Sequence, residues 1–130
     1  MSLTKIVATL GPAVEKRETF CLLIKAGASI FRFNLKYNTH RWHSALIQKT
    51  KEAARIIGKP VAILLDLPGL DQKISFTNFL AKNLKDLSLA AKHNADFLAI
   101  SFVRNRKDIE FFKKQAKKFN IFSKIGRAHV

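Results

Sequence analysis

The chain has few acidic residues, a single cysteine and no long apolar run. Of its 130 residues only 9 are Asp or Glu, against 24 Lys or Arg, which gives a formal net charge of +15. Cys21 stands alone, so no disulfide can form within the chain, and we expect a cytoplasmic protein. Uninterrupted apolar runs such as Val61–Leu65 and Phe97–Ile100 are far shorter than the about 20 residues that a membrane span needs. The composition therefore predicts one small globular domain without a membrane segment.

The excess of positive charge raises nucleic acid as a partner, but its distribution disfavours that class of protein. Residues 1–60 carry a formal charge of +8, residues 61–100 carry none, and residues 101–130 carry +7. No block forms a basic arm, and lysine outnumbers arginine 17 to 7, a bias that an AT-rich genome produces without selection for binding. We expect no nucleic-acid partner and keep a basic nucleic-acid-binding module as an alternative.

Five short apolar runs alternate with four helical patterns. The runs are continuous rather than alternating, as buried parallel strands are, and they predict strands over Lys5–Leu10, Ser29–Asn34, Val61–Asp66, Phe97–Phe102 and Ile121–Ile125. The helical spacing predicts helices over Thr19–Ala26, Thr39–Ile57, Asn83–His93 and Asn105–Phe119. This order predicts an α/β fold with a parallel sheet and right-handed crossovers. The spacing of 24 to 36 residues between strand starts suits part of a (β/α)8 TIM barrel, and a doubly wound open sheet also fits.

Polar side chains stand where the predicted strands end. They are, in chain order, Thr9, Arg32, Asn34, Asp66, Ser101, Arg104, Ser123 and Lys124. Because the carboxyl ends of parallel strands meet at one edge, we expect these groups to converge on one rim. The cations suit an anionic substrate, phosphate above all, and Asp66 suits either a bound cation or a structural ion pair. Each residue alone is explained as a satisfied loop residue, whereas their joint position indicates a site.

Two other features have simpler explanations. His40 and His43 lie three residues apart at the start of the second predicted helix and could share a metal ion, but no third ligand is apparent. We therefore expect them to have a surface or capping role. The Phe111–Phe112 pair is expected to pack in the core, and the lysines of the fourth predicted helix are expected to face solvent.

Five segments of the chain resemble the pyruvate kinase family, in the family's order. TKIVATLGPA is similar to the family's first strand and turn, and AGASIFRFNLKYNTHRWH to its second strand and the following threonine–histidine helix start. PVAILLDLPG resembles the third strand, NADFLAISFVRNRKDI the fourth, and FSKI the start of the lysine motif SKIE. The resemblance implies the amino-terminal half of a (β/α)8 barrel.

The resemblance also implies a reaction. It is phosphoryl transfer between phosphoenolpyruvate and ADP or ATP in the full-length protein, with Mg²⁺ and K⁺ as cofactors. Arg32 is then expected to contact the phosphates, and Lys124 to stabilise charge on the transferred group and the enolate. Asn34 and Asp66 are expected to bind the monovalent cation.

The remaining rim residues are assigned by the same resemblance. Ser101, Phe102 and Arg104 are expected to line the substrate and nucleotide site, to which Asn34 also belongs. Lys73 stands in for the arginine of the family pattern GPxIR, with its charge but without its bidentate fork.

The sequence departs from the family pattern in several places. Lys36 and Tyr37 hold the positions of a family serine and histidine, so that the Lys36 ammonium could replace the monovalent cation. Residues 67–82 fill the interval where the family inserts a lid domain, and they are too few for one. Gly126 replaces the glutamate of SKIE, and we expect the magnesium ligands to be absent from this chain.

The final residues suggest a domain of residues 1–124 followed by a non-native tail. Residues 125–130, IGRAHV, have the sequence that a short-read sequencing adapter encodes in one frame. We expect the gene to continue, its full product to be a pyruvate kinase that forms homo-oligomers, and this chain alone to be inactive. The alternative from another class is a non-catalytic phosphate-binding or interaction protein derived from the family.

Overall fold

The protein forms one parallel sheet covered by helices. The structure, a computed structural model, describes residues 5–69, 75–101, 103–121 and 124–127. The strands are β1 (Ile6–Leu10), β2 (Ala28–Asn34), β3 (Ala62–Leu67), β4 (Phe97–Ile100) and β5 (Lys124–Arg127). The helices are α1 (Arg17–Lys25), α2 (His40–Ile57), α3 (Phe76–Lys92) and α4 (Arg106–Lys118). The predicted alternation of strands and helices is confirmed.

The order of the strands identifies the architecture. Neighbouring strands are all parallel, and their order in the sheet is β1-β2-β3-β4-β5. A doubly wound sheet reverses its strand order at a switch point, and the described strands contain no such reversal. With right-handed crossovers, every helix then covers the same face of the sheet. The partial (β/α)8 barrel is therefore confirmed, and the doubly wound alternative is excluded.

The two faces of the sheet differ in burial. Successive strand residues point to opposite faces, so Phe31 and Phe33 share one face and Arg32 and Asn34 share the other. The helix-covered face is the core: Phe31, Phe33 and Leu65 are fully buried there. On the opposite face Arg32 and Asn34 are only half-buried. This open face places polar side chains where a ligand can reach them.

Helix α3 is longer than predicted. It begins at Phe76, seven residues before the predicted start at Asn83, and the Ser75 hydroxyl caps it by accepting a hydrogen bond from the Asn78 amide at 3.2 Å. The prediction was wrong because Phe, Thr and Asn are weak helix formers, whereas packing overrides propensity here. The Phe79 ring packs on Phe112 with centroids 5.9 Å apart. The β3–α3 connection is thus residues 68–75.

Strand β5 is displaced from its prediction. It runs from Lys124 to Arg127 rather than from Ile121 to Ile125, because the four residues of β4 pair in register with residues 124–127. Lys124 is therefore opposite Phe97, at the beginning of both strands. Residues 125–127 of the predicted non-native tail form the rest of the strand.

Helix α2 begins and ends as its sequence predicts. The Thr39 hydroxyl accepts a hydrogen bond from the Trp42 amide at 3.1 Å, and Gly58 ends the helix with φ 75°, a left-handed conformation that glycine adopts without strain. Within the described ranges, no helix is long and apolar enough to cross a membrane.

Candidate functional site

Asp66 organises the polar groups at the carboxyl end of the sheet. Its side chain is only 1% exposed, and each of its oxygens has a partner. Oδ2 accepts hydrogen bonds from Arg32 Nε at 3.0 Å and Arg32 Nη2 at 2.5 Å, and Oδ1 accepts one from the Ser101 hydroxyl at 3.0 Å. Of the two roles that the sequence left open for Asp66, a bound cation or an ion pair, the structure contains the ion pair.

Arg32 is fixed by three hydrogen bonds and still has donors to spare. Besides Asp66, it contacts Thr9, whose hydroxyl accepts a bond from Nη1 at 3.3 Å. A guanidinium carries five N–H groups, so one on each Nη is left for a ligand. The Arg32 side chain is 30% exposed, so these donors are near solvent. The Arg32 side chain can reach the Thr9 hydroxyl because Thr9 and Arg32 are register partners on β1 and β2.

The loop after β2 lies beside this cluster. Asn34 pairs in register with Asp66, and its side-chain oxygen accepts a hydrogen bond from the Lys36 amide at 3.1 Å. The Lys36 ammonium lies 5.9 Å from the centre of the exposed Tyr37 ring. A hollow of about 460 Å³ opens here, lined by Asn34, Tyr37 and the β1–α1 turn at residues 9–12.

The other predicted rim residues do not all join the cluster. Arg104 is at the same edge, but its guanidinium pairs with Asp108 one helical turn away, with Nε 3.2 Å from Oδ2. These bonds hold the pKa of Asp108 below its usual value. Lys124 was predicted at the carboxyl edge, and this prediction is wrong. It lies at the amino end of β5, because β5 begins three residues later than expected. Lys73, Phe102 and Ser123 lie outside the described residues.

A second polar cluster, which sequence reasoning missed, joins α2 to α3. Asp86 is completely buried, and its Oδ1 accepts hydrogen bonds from His40 Nε2 and Lys82 Nζ, each at 2.6 Å. Lys82 also donates to the Leu35 carbonyl at 3.0 Å, which ties the β2–α2 loop to α3. The four-residue spacing of Lys82 and Asp86 signals a helical ion pair, but only if α3 is known to begin before Asn83.

His43, on α2, also holds the β2–α2 loop through a hydrogen bond. Its Nε2 donates to the Tyr37 carbonyl at 2.7 Å, and burial lowers its pKa below the usual value, against the effect of that hydrogen bond. Among the described residues, four buried side-chain atoms in this region have no hydrogen-bond partner: His43 Nδ1, both amide atoms of Asn83, and Asp86 Oδ2. The two histidines hydrogen-bond different groups, His40 the Asp86 carboxylate and His43 the Tyr37 carbonyl. The expected surface role is wrong for His43, which is 1% exposed, and Thr39 caps α2 instead.

Comparison with known proteins identifies the family. The family model described as "Pyruvate kinase, barrel domain" matches residues 1–79. This chain belongs to that family. A pyruvate kinase of Thermococcus litoralis is 42% identical over 71 residues, which is 55% of this chain and 15% of that protein. Pyruvate kinase 2 of Synechocystis sp. is 43% identical over 77 residues, 59% of this chain and 13% of that protein.

The match covers part of the rim and a small part of each relative. A pyruvate kinase of Sporosarcina psychrophila is 45% identical over 69 residues, 53% of this chain and 12% of that protein. The chain thus aligns with about an eighth of the length of these relatives. Arg32, Asn34 and Asp66 lie within the range of the family model, whereas Ser101, Arg104 and Lys124 lie beyond it.

The cations associated with the family do not fit the described residues. Asn34 Oδ1 and both Asp66 oxygens already accept hydrogen bonds, and Arg32 neutralises the carboxylate. Among residues 5–69, 75–101 and 103–121, no group of three or more His, Cys, Asp or Glu side chains could hold a metal ion.

Proposed function

We propose that the complete protein is a pyruvate kinase-like phosphotransferase and that this half-barrel supplies the arginine that binds the transferred phosphoryl group. The substrates are phosphoenolpyruvate and ADP. The bond from phosphorus to the enol oxygen breaks, a bond to the β-phosphate of ADP forms, and the enolate takes up a proton to give pyruvate. The observation that carries the proposal is the Arg32 guanidinium, fixed at the rim with two N–H groups left over.

Arg32 acts by donor geometry rather than by excess charge. Its ion pair with Asp66 is neutral overall, but the carboxylate fixes the plane of the guanidinium before a ligand arrives. A preorganised donor pair can bind two phosphoryl oxygens and costs no reorganisation during transfer. Phosphoryl transfer depends mostly on such positioning and on stabilising charge on the equatorial oxygens.

The hollow beside Asn34 is the proposed nucleotide site. It lies between the β1–α1 turn and the β2–α2 loop, next to the Thr9–Arg32 contact. Tyr37 is 59% exposed, and its ring offers a face on which a base can stack. His43 and Lys82 hold the carbonyls of this loop, at Tyr37 and Leu35, so the hollow keeps its shape.

The test is the activity of the complete gene product beside that of this chain. The source locus is resequenced beyond codon 124, the whole reading frame is expressed in a host without its own pyruvate kinase, and pyruvate formation is followed in a coupled assay. We expect ADP-dependent turnover from the complete product and none from the 130-residue chain. A complete product that binds phosphoenolpyruvate and yields no pyruvate would instead identify a non-catalytic phosphate-binding protein.

A further inference from the structure

A groove of about 460 Å³ separates α2 from α3 on the outer side of the helix layer. Its walls carry three cations, Arg41 on α2 and Lys85 and Lys92 on α3, together with the hydroxyls of Ser44 and Ser88. None of these residues belongs to the rim cluster at Arg32 and Asp66. We name this feature the α2–α3 groove.

The positive charge of the groove is not balanced by nearby carboxylates. No acidic residue lines it, and within the described residues Arg41, Lys85 and Lys92 form no ion pair. Three exposed arginines elsewhere do have acidic partners, in the pairs Arg17–Glu52, Arg104–Asp108 and Arg106–Glu110, whereas exposed Arg55 has none among the described residues. The nearest buried carboxylate, Asp86, already binds His40 and Lys82.

A buried histidine lies next to the groove, in contact with Ser44 of its lining. His93 is 5% exposed, and its Nε2 hydrogen-bonds the Ser44 hydroxyl at 2.5 Å. Burial lowers its pKa first, and the charges of Lys51 and Lys92 lower it further. The three cations and the absence of a carboxylate from the described lining make the groove a region of positive potential, which attracts anions.

The spacing of the cations selects among anions. Lys85, Ser88 and Lys92 follow one another at three and four residues, so they share one face of α3. Lys85 and Lys92 are seven residues apart, which is about 10 Å along the helix axis. A chain of phosphoryl groups can span that distance and contact both lysines in extended conformations, whereas one orthophosphate would need both side chains to bend toward it. Arg41 on the opposite wall adds planar, bidentate donors suited to phosphate oxygens.

We propose that the α2–α3 groove binds a small molecule that carries two or more linked phosphoryl groups. Nucleic acid shares the phosphate chemistry but fits less well, because duplex-binding proteins typically use about 6–10 phosphate contacts and this groove offers three cations. The site is separate from the proposed substrate site at Arg32.

Inorganic tripolyphosphate tests the proposal on the 130-residue chain, by calorimetry and by amide NMR shifts. We expect shifts concentrated at the groove, at residues such as Arg41 and Ser88, and affinity for orthophosphate at least about tenfold weaker. The variant Arg41→Gln/Lys85→Gln/Lys92→Gln should bind tripolyphosphate at least about tenfold more weakly. The matched control is Lys113→Gln/Lys114→Gln/Lys117→Gln, which removes the same charge from the exposed face of α4 and should change affinity less than about twofold.

Three outcomes would overturn the proposal. An equal loss in the α4 control would show general charge attraction, and shifts concentrated at Arg32 would place the anion at the rim. Tighter groove-dependent binding of an RNA oligonucleotide than of tripolyphosphate would identify a nucleic-acid surface instead. The five substituted lysines and the one arginine are all exposed, so the variants should fold, and circular dichroism with a melting curve checks this. The single variant Lys85→Gln, expected to weaken binding about threefold, replaces the triple variant if the latter unfolds.

Discussion

Asp66 and Asp86 are both withdrawn from water, yet their oxygens are used differently. Asp66 divides its two oxygens between Arg32 and Ser101, so neither is left without a partner. Asp86 uses Oδ1 for both His40 and Lys82, while its Oδ2 is buried without any partner. In the first arrangement both carboxylate oxygens have partners, and in the second two hydrogen bonds end on one oxygen.

The difference follows from what each carboxylate holds together. The strands around Asp66 are already joined by backbone hydrogen bonds, so its side chain serves to orient Arg32. Asp86 joins segments that the backbone does not join: α2 through His40, α3 itself, and the β2–α2 loop through Lys82 and the Leu35 carbonyl. Asp66 is thus a positioning residue of the proposed site, and Asp86 is a structural link beneath it.

The largest effect is expected on catalysis, from substitution of Arg32, the residue that Asp66 orients. Arg32→Gln in the complete protein should lower kcat/KM by about 10²–10³-fold, because it removes preorganised donors to the phosphoryl oxygens. Arg32→Lys keeps the charge beside Asp66 but loses the fork, and should give an intermediate loss. Steady-state kinetics with phosphoenolpyruvate measures both. If Arg32→Gln retains full activity, Arg32 has no role in phosphoryl transfer.

The next effect is on stability. Asp86→Asn should lower the free energy of unfolding by about 3 kcal/mol, because it removes the buried charge that pairs with Lys82 and weakens the hydrogen bonds from both Lys82 and His40. Asp66→Asn should cost less, about 1–2 kcal/mol, because the strand ladder persists and the amide oxygen can still accept from Ser101. Urea denaturation at neutral pH measures both values.

The control for these two variants is a surface ion pair. Arg106 and Glu110 are 91% and 59% exposed, so Glu110→Gln should cost less than about 0.5 kcal/mol. If Asp66→Asn proves more damaging to the fold than Asp86→Asn, the roles assigned to the two carboxylates are reversed.

A smaller effect is the loss of folding stability at acidic pH, which we assign to His43 and His93 in the helix layer. The pKa values of His43 and His93 are lowered in the folded chain, mainly by burial, so the unfolded chain binds more protons just below pH 6.5. Stability should therefore be complete above about pH 7 and fall as the pH drops through 6.5. The lowered pKa of Asp108 acts only at more acidic pH, near and below its usual value of 3.8.

Substitution of both histidines should flatten this dependence. His43→Gln/His93→Gln keeps groups that can hydrogen-bond the Tyr37 carbonyl and the Ser44 hydroxyl but cannot titrate. The measurement is the urea midpoint at several pH values between 5.5 and 7.5, beside the unsubstituted chain. An unchanged slope in the double variant would place the acid sensitivity elsewhere.

The sequence predicted the rim better than the link between helices. The strands carrying Thr9, Arg32 and Asp66 are continuous apolar runs, and parallel pairing alone brings their ends together. The sequence could not predict that Arg32 would donate hydrogen bonds to Asp66, because that contact depends on the register of β2 and β3, and register is set by long-range pairing. The Asp86 link was missed because the start of α3 was placed at Asn83, which left Lys82 outside the helix.

The fifth strand shows the other limit of sequence reasoning. Ile121–Ile125 is as apolar as a strand requires, but β4 pairs with residues 124–127, so that Lys124 begins the strand instead of ending it. A shift of three residues moved the predicted catalytic lysine to the opposite edge. Pattern locates a strand in the chain, and only pairing settles which residues lie at which edge.

The smallest expected effect concerns Lys36 and potassium. The Arg32 guanidinium already faces Asp66, and Lys36 adds a second fixed positive charge to the neighbouring loop, where the family has a hydroxyl. One built-in monovalent charge can take over the electrostatic role of another. The complete enzyme should therefore respond to potassium by less than about twofold. Lys36→Ser removes one of the two charges and should raise that response only to about threefold, because the Arg32–Asp66 pair persists. Initial rates are measured against potassium concentration, with a bulky organic cation holding the ionic strength constant, and Lys59→Ser at an exposed position after α2 is the charge-matched control. Strong potassium activation of the unsubstituted enzyme would show that neither Arg32 nor Lys36 replaces the ion, and the neutral Arg32–Asp66 pair would then have to open for a cation to bind.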